Sequence, residues 1–246
     1  MNNQPLVIEF IGLPGAGKTT TAQIAISTLC ADGYRCFGLS TLDSPENLEK
    51  EKGGFSSKLR MLNLFVSSCV SFTQIALNAF IFVINVRPIS IVNLRRFVLF
   101  MVRINSIKTL MSDNYDFIIL DQGLFQSIWS IMVTGDQPDE GKYLERVLNS
   151  ILDEITLFII MIDVETELAL NRIISRPTMR SRFDRMSPPE AEAILSEYKE
   201  LFSQLVDSAG TYRNTGYLNV NGSQPVKENV DLIVPIILQA RQGISL

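Results

Sequence analysis

A glycine-rich turn near the amino terminus constrains the fold of this 246-residue chain more than any other feature. Residues Gly12 to Thr19 read Gly-Leu-Pro-Gly-Ala-Gly-Lys-Thr, which fits the pattern G-x-x-x-x-G-K-[ST]. The apolar run Leu6–Ile11 before the turn is short enough for a buried strand, and residues 20–31 after it have a helical pattern of apolar residues. A strand, a glycine-rich turn and a helix in this order predict a loop that binds phosphate through backbone N–H groups and the positive end of the helix.

The loop also contains the two side chains that such sites use for nucleotide phosphates and for a metal ion. Lys18 can reach the β- and γ-phosphates of a nucleotide, and the Thr19 hydroxyl can ligate Mg²⁺. We therefore predict that Lys18 is catalytic and that Thr19 binds the metal. The residues that we expect to contact the nucleotide from the loop are Gly12, Pro14, Gly15, Ala16, Gly17, Lys18, Thr19 and Thr20.

Charge and composition exclude several classes of protein. A net charge of −4 argues against a general nucleic-acid binder, whose surface would be basic. Three cysteines are too few for a disulfide framework, and the absence of histidine from the sequence excludes the usual zinc sites and histidine-based triads. Residues 1–5 lack the basic and apolar regions of a signal peptide, so we expect a cytoplasmic protein.

Five apolar runs with strand character alternate with helical stretches along the chain. This alternation predicts a parallel sheet with helices on both faces. No repeat, low-complexity tract or long linker divides the sequence, so we interpret residues 1–246 as a single α/β domain. The strand candidates are Leu6–Ile11, Arg35–Leu39, Phe117–Leu120, Leu157–Ile162 and Tyr217–Val220.

A second candidate for the metal site follows the third strand candidate. The run Phe117–Leu120 ends in Asp121. A carboxylate in this place, beside a phosphate loop, can meet Mg²⁺ or its water shell. The alternative is an aspartate that only caps a turn. The upstream loop favours the metal interpretation, so we predict Asp121 as a metal-associated and catalytic residue.

Arginines are concentrated after the fourth strand candidate, with five of them within fourteen residues. The segment 176–190 also contains prolines and serines, so it is predicted to be a loop that follows a helix. The planar, permanently charged guanidinium suits phosphate, and a loop that closes can exclude water from a phosphoryl group. The alternative is a solvated basic face. The five arginines are Arg172, Arg176, Arg180, Arg182 and Arg185.

Together these motifs resemble the thymidylate kinase-like group of P-loop kinases, which includes nucleoside and nucleoside-monophosphate kinases. Residues 157–176 are similar to the fourth strand and lid helix of that family. Residues 97–121 are similar to its third strand with the preceding helix, and residues 221–238 to its adenine-side loop and last helix. The resemblance spans nearly the whole chain and is loosest between residues 44 and 95.

The resemblance implies a three-layer P-loop NTPase fold with a five-stranded parallel sheet in the order 2-3-1-4-5. It also implies ATP and Mg²⁺ as cofactors and transfer of the γ-phosphoryl group to a small-molecule acceptor. By this analogy Arg172 and Gly222 contribute to the nucleotide site, residues 176–190 form an arginine-rich lid, and residues 44–112 form a helical acceptor-side region. The catalytic residues of the lid are then Arg176, Arg180 and Arg182.

The acceptor side departs from the family pattern in two places. Thymidylate kinases have an arginine after the third-strand aspartate, whereas this chain has Gln122, which can donate a hydrogen bond but carries no charge. Arg103 on the preceding helix is kept, but its usual acidic neighbour is replaced by Val102. These departures favour an acceptor with a free hydroxyl over one with a phosphate. We predict Arg103 and Gln122 as acceptor-binding residues.

A base for such a hydroxyl has two candidates. Nucleoside kinases of the same group have an acid just after the second strand, and Asp43 is placed similarly. Asp43 is then both catalytic and acceptor-binding, with the alternative that it is a turn residue before Pro45. Asp121 is the other candidate for orienting the acceptor hydroxyl.

The segment 61–86 has 26 residues and no charge, which is long enough to span a bilayer. Its polar residues, however, recur at helical spacing and predict one polar face. Three interpretations remain open: a helix core with a homodimer interface through the apolar helices 61–111, an acceptor pocket that includes Gln74, and membrane contact. The polar residues are Asn63, Ser67, Ser71, Gln74, Asn78 and Asn85.

The sequence therefore predicts ATP-dependent phosphoryl transfer to a small molecule, with a nucleoside or nucleotide-like compound as the favoured acceptor. One alternative is a kinase of the same fold whose acceptor is a sugar or another metabolite. The other alternative is a nucleotide-gated NTPase or switch that acts through a protein partner. A screen of acceptors with labelled ATP distinguishes these possibilities.

Overall fold

A parallel sheet of five strands forms the core of the protein. The structure, a computed structural model, describes residues 4–38, 54–86, 90–133, 142–175, 183, 186–209 and 215–242, with residues 54–60 and 209 described by their backbone alone. The strands lie in the order β2-β3-β1-β4-β5, and all neighbours are parallel. They are β1 (Leu6–Ile11), β2 (Cys36–Gly38), β3 (Phe117–Leu120), β4 (Leu157–Asp163) and β5 (Thr215–Asn221).

The predicted fold class and strand order are confirmed. β1 and β3 have the predicted bounds, whereas β4 and β5 are longer because their pairing continues from Leu157 with Thr215 to Asp163 with Asn221. Leu39, the predicted last residue of β2, lies outside the described residues. Polar residues at the strand ends hid the extra pairs, since hydrophobic patterning detects only the buried centre of a strand.

Nine helices lie within the described residues. Together they cover both faces of the sheet, because every residue of β1 and β3 is buried. The helices are α1 (Lys18–Ala31), α2 (Gly54–Ser71), α3 (Thr73–Asn85), α4 (Ile91–Met111), α5 (Leu124–Met132), α6 (Lys142–Leu152), α7 (Thr166–Ile174), α8 (Pro188–Ala209) and α9 (Val226–Arg241).

β1 contains one side chain that does not fit an apolar strand. Val7, Ile8, Phe10 and Ile11 have no exposed surface, as expected for a strand covered on both faces. Glu9, between them, is also fully buried. A carboxyl group in such a place is tolerated only with hydrogen-bond partners, which lie at the start of α5.

The uncharged segment folds into two helices that meet at a bend. The axes of residues 61–71 and 73–85 differ by 109°, so the prediction of one polar face along 63–85 is wrong. Phe72 has the non-helical angles φ −125° and ψ 52°, and the Thr73 hydroxyl donates to the Val70 carbonyl, 3.0 Å away, which the bend would otherwise leave unpaired. Among the described residues, no single helix has the length and apolar composition to cross a membrane, and this bent pair meets that test only when both helices are counted.

Candidate active site

The loop between β1 and α1 is held in a conformation that only glycine allows. Gly12, Gly15 and Gly17 have φ values of 140°, 87° and 95°. A Cβ atom at Gly12 would lie 2.5 Å from the Ile162 carbonyl oxygen, and one at Gly15 would lie 2.4 Å from the Ala169 carbonyl oxygen. The end of β4 and the helix α7 therefore pack directly against the loop and fix its shape.

The loop presents positive charge to a pocket. Lys18 Nζ donates to the carbonyl oxygens of Gly12 and Leu13, at 2.9 and 3.0 Å, so the ammonium group lies over the loop. α1 begins at Lys18 after Gly17, and within the described residues neither a side-chain cap nor an acid in the first turn neutralises its amino-terminal end. Free N–H groups and the helix dipole make this end suitable for an anion.

Two pockets adjoin the loop and share Gly15, Gly17 and Thr20. The first pocket has a volume of about 260 Å³ and contains Gln122, a predicted acceptor residue, so we name it the acceptor-side pocket. The second has a volume of about 280 Å³ and contains Gly222 of the predicted adenine-side loop, so we name it the base-side pocket, after the nucleotide base. The acceptor-side pocket is lined by Pro14, Gly15, Gly17, Lys18, Thr19, Thr20, Gln122, Gln126 and Ser130. The base-side pocket is lined by Gly15, Ala16, Gly17, Thr20, Thr21, Arg172, Gly222, Gln224, Val226 and Asn229.

The base-side pocket contains two predicted nucleotide residues that are far apart in sequence. Arg172 on α7 donates from its guanidinium to the Gly222 carbonyl oxygen at 3.0 Å. Gly222 follows β5, and a Cβ there would lie 2.9 Å from the Asp163 carbonyl oxygen, so the turn needs glycine. Asn229 of α9, which donates to the Asn221 carbonyl oxygen at 3.0 Å, lines the same pocket and was not predicted.

Asp121 and Gln122 lie at the same edge of the sheet as the loop. β1 and β3 are parallel, and Glu9 is level with Leu120, so Asp121 follows β3 where β1 approaches the loop. The Asp121 side chain is buried, and Gln122 is exposed in the acceptor-side pocket. The structure thus places Gln122 in the acceptor-side pocket together with Thr19, and Asp121 next to Gln122 at the same edge of the sheet.

Glu9 is a buried carboxyl group that the sequence analysis gave no role. Its Oε2 accepts hydrogen bonds from the amides of Leu124 and Phe125, at 2.8 and 3.0 Å, and its Oε1 accepts one from the Gln126 amide at 2.9 Å. Burial raises the pKa of Glu9 from 4.5 to about 7, and the three amides and the positive charge of Arg103 limit the increase. The sequence did contain a signal for this residue, because Glu9 is an acid within the otherwise apolar strand run Leu6–Ile11.

Arg103, predicted to bind the acceptor, contacts the same helix terminus. Its guanidinium donates to the Gly123 carbonyl oxygen at 3.3 Å and to the Ser127 hydroxyl. These contacts place its charge beside the first turn of α5. The network of Glu9, Arg103 and Ser127 therefore holds the segment that carries Gln122.

Gln74 lies in a different part of the molecule from the loop. It lines a groove of about 500 Å³ between the bend at Phe72 and the end of α6, together with Arg146 and Glu154. Glu154 precedes β4, so this groove is at the amino ends of the strands, whereas the loop follows the carboxyl end of β1. Gln74 is therefore not part of the acceptor-side pocket, because α3 packs against α6 instead.

The predicted lid, residues 176–190, is described only at residue 183 and from residue 186 onward. Phe183 is buried, and its ring lies 6.1 Å from that of Tyr198 on α8. Residues 188–190 are helical, because prolines are tolerated in a first helical turn, whose N–H groups have no intrahelical acceptor. The predicted lid therefore extends three residues too far. Four predicted catalytic residues lie outside the described residues: Asp43, Arg176, Arg180 and Arg182.

The same architecture occurs in two solved structures of deoxyadenosine kinase from M. mycoides. The first, with the products dCMP and a flexible dCDP bound, has a TM-score of 0.54 and 18% identity, over 95% of this chain and 100% of that one. The second, with bound dATP, has a TM-score of 0.52 and 19% identity, over 95% of this chain and 99% of that one. The chain has the fold of these kinases.

Sequence comparison adds no closer assignment. No protein-family model matches the chain. No curated protein sequence matches it either. The thymidylate kinase-like group is therefore a resemblance in motifs, and the two structural neighbours are nucleoside kinases of the P-loop fold.

Proposed function

We propose that this protein is a cytoplasmic P-loop kinase that transfers the γ-phosphoryl group of ATP to a hydroxyl of a nucleoside. The observation that carries the proposal is the pair of pockets that adjoin one phosphate loop. The base-side pocket contains Arg172 and the glycine turn at Gly222. The acceptor-side pocket contains Lys18 and the uncharged polar residues Gln122, Gln126 and Ser130. The names of both structural neighbours, deoxyadenosine kinases, support a nucleoside as the acceptor.

The residues of the loop fit the phosphates and the metal of ATP·Mg²⁺. The uncapped start of α1 and the inward-turned loop amides suit the phosphates, with Lys18 as the cation for the β- and γ-groups. Thr19 and Asp121 offer hard oxygen ligands, which suit Mg²⁺. When bound, Mg²⁺ neutralises charge on the β- and γ-phosphates.

Transfer requires a bond from the acceptor oxygen to the γ-phosphorus and loss of the bond to the bridging oxygen of ADP. We assign the acceptor's proton to Asp43 or Asp121, the two carboxylates predicted for that role. Arg176, Arg180 and Arg182 then stabilise the charge on the phosphoryl group as it passes between the two oxygens. Most of the catalysis in this scheme is positioning and electrostatic stabilisation.

The exposed apolar side chains of α2, α3 and α4 fit the expected homodimer through residues 61–111. Val70 and Ile91 are 74% and 87% exposed, and Leu62 and Leu77 are more than half exposed. Clusters of this kind commonly mark an interface. Sedimentation of the full chain tests this part of the proposal, and a monomer at all concentrations contradicts it.

A labelled-ATP screen of nucleosides, their monophosphates and sugars tests the activity. We expect a nucleoside to be phosphorylated and Lys18→Ala to lower the rate by about 10³-fold or more, because one group that stabilises transferring charge is lost. Thermal unfolding of Lys18→Ala controls for its fold. Turnover near the wild-type rate in this variant, or hydrolysis of ATP that no acceptor stimulates, contradicts the proposal.

A further inference from the structure

Gln126, which lines the acceptor-side pocket, has a buried hydrogen-bonding atom. Within the described part of the chain, its side-chain Oε1 is buried and has no hydrogen-bond partner. Its backbone amide, by contrast, is bound to Glu9 Oε1 at 2.9 Å. Buried polar atoms in native proteins are nearly always paired, so an exception beside a pocket points to a ligand.

The residues around Gln126 form an uncharged polar surface. Gln126 and Ser130 are four residues apart on α5 and share one face of the helix. Both line the acceptor-side pocket together with Gln122, which lies four residues before Gln126. Lys18 of the phosphate loop lines the same pocket. A molecule in this pocket therefore meets both these neutral groups and the loop that is proposed to hold the phosphoryl donor.

Glu9 anchors the turn that carries Gln126. Both of its carboxylate oxygens accept backbone amides of the first turn of α5. A Cβ at Gly123 would lie 2.4 Å from the Glu9 carboxyl carbon, so the chain can approach this closely only at glycine. Glu9 belongs to the strand that runs directly into the phosphate loop. The distance from Gln126 to the loop is therefore set through a buried, three-bonded carboxyl group.

The geometry points to Gln126 as a binding residue that recognises the acceptor, with Glu9 as the positioning residue that holds it in place. This inference rests on the proposed function and adds the chemistry of its acceptor. A carboxamide oxygen accepts a hydrogen bond from a hydroxyl or amino group, and the side chain has no charge to pair with a phosphate. The acceptor recognised here is an uncharged nucleoside that presents an N–H or O–H donor.

The test uses 2′-deoxyadenosine and ATP with the full-length chain. Gln126→Leu keeps the side-chain bulk and removes the amide, and we expect the KM for deoxyadenosine to rise about tenfold, the effect of one lost hydrogen bond. The KM for ATP should stay within about twofold of the wild type, as for a change outside its site. Gln204→Leu, an exposed position on α8, is the matched control and should change neither constant. Gln126→Met is used if the leucine variant does not fold.

Glu9→Gln tests the positioning role by a double-mutant cycle. We expect this variant to raise the KM for deoxyadenosine in the wild-type background and to have little effect in the Gln126→Leu background, because both changes act through one contact. A purely structural role predicts additive effects, which would overturn the assignment of Glu9.

The outcomes separate the inference from the proposed function. An unchanged KM for deoxyadenosine in Gln126→Leu, with transfer abolished in Lys18→Ala, overturns the role of Gln126 and leaves the kinase standing. If the wild-type chain phosphorylates none of the acceptors in the screen, the proposed kinase activity is overturned. The proposed role of Gln126 in binding an acceptor is then overturned with it.

Discussion

The two pockets beside the phosphate loop differ in charge and in what holds them in place. On the base side, Arg172 brings a positive charge, and its guanidinium donates to the Gly222 carbonyl oxygen at 3.0 Å. On the acceptor side, Gln122 and Gln126 are neutral. Gln126 lies on α5, which begins two residues after Gln122 and is anchored to the buried carboxyl group of Glu9. A site divided in this way suits a polyanionic nucleotide on one side and an uncharged molecule on the other. It also makes the acceptor side the half whose stability depends on pH.

The largest expected effect concerns this pH dependence. Glu9 has a pKa of about 7 in the folded protein, above its ordinary value of 4.5. Between pH 4.5 and pH 7 the folded state therefore holds a proton that the unfolded state releases. The contribution of this proton to the stability of the folded state is complete below pH 4.5 and is lost as the pH rises through 7. A difference of this size corresponds to about 3 kcal/mol in the free energy of unfolding.

Urea unfolding of the wild type and Glu9→Gln between pH 5 and pH 8 measures the effect. The stability of the wild type relative to the variant should fall across this range, because glutamine does not titrate. Asp116→Asn is the control, since the pKa of Asp116 is lowered below 3.8 by its bonds to the Arg35 amide and to Arg241, against the opposing effect of burial. Its contribution is lost only in acid. A flat difference for Glu9→Gln from pH 5 to pH 8 contradicts the buried, proton-binding state.

Much of the fold was predictable because its signals are contiguous in sequence. The strand β1, the loop and α1 lie within residues 6–31, and each of the three confirms the interpretation of its neighbours. β3 and β4 are buried on both faces, so their apolar runs stand out without any knowledge of the tertiary structure. The strand order, in contrast, came from a family resemblance, since local patterns do not specify which strands are adjacent.

The unpredicted features depend on residues that meet only after folding. Glu9 and the amide of Gln126 are 117 positions apart, and nothing local to either indicates the contact. The bend at Phe72 lacks a glycine or proline, and a single threonine hydroxyl compensates the interrupted helix. The contacts of Arg103 with Gly123 and Ser127 of α5 were not predicted, and its role in binding the acceptor stays a prediction. Long-range polar contacts of this kind determine the acceptor side, and for that reason it was the half of the site that sequence described least well.

Gln122→Arg introduces the charge that the acceptor side lacks. We expect activity on 2′-deoxyadenosine 5′-monophosphate to rise by about one to two decades, since a charge-assisted hydrogen bond contributes about 1.5–3 kcal/mol. Activity on deoxyadenosine should not improve. Two nearby arginines contact α5: Arg103 donates to Gly123 and Ser127, and Arg96 donates to the Ser130 carbonyl. The competition experiment therefore also tests whether either of them meets an acceptor phosphate.

Competition between deoxyadenosine and its monophosphate measures this preference in the wild type and in Gln122→Arg. Gln204→Arg places the same charge on the exposed face of α8 and controls for its long-range effect. A wild-type preference for the monophosphate would show that another arginine meets an acceptor phosphate, and that the neutral lining of the pocket does not select the acceptor.

Arg172→Ala gives the smallest expected effect and the most direct comparison of the two pockets. Loss of the guanidinium should raise the KM for ATP about tenfold, since one contact to a charged group is removed, and leave the KM for deoxyadenosine within about twofold. Gln126→Leu should show the opposite pattern. Arg146→Ala, in the groove at the amino ends of the strands, is the matched control and should change neither constant. If the pockets are separate sites, each variant should raise the KM of only one substrate. Equal increases in both KM values for Arg172→Ala and Gln126→Leu would mean that the two pockets bind one molecule.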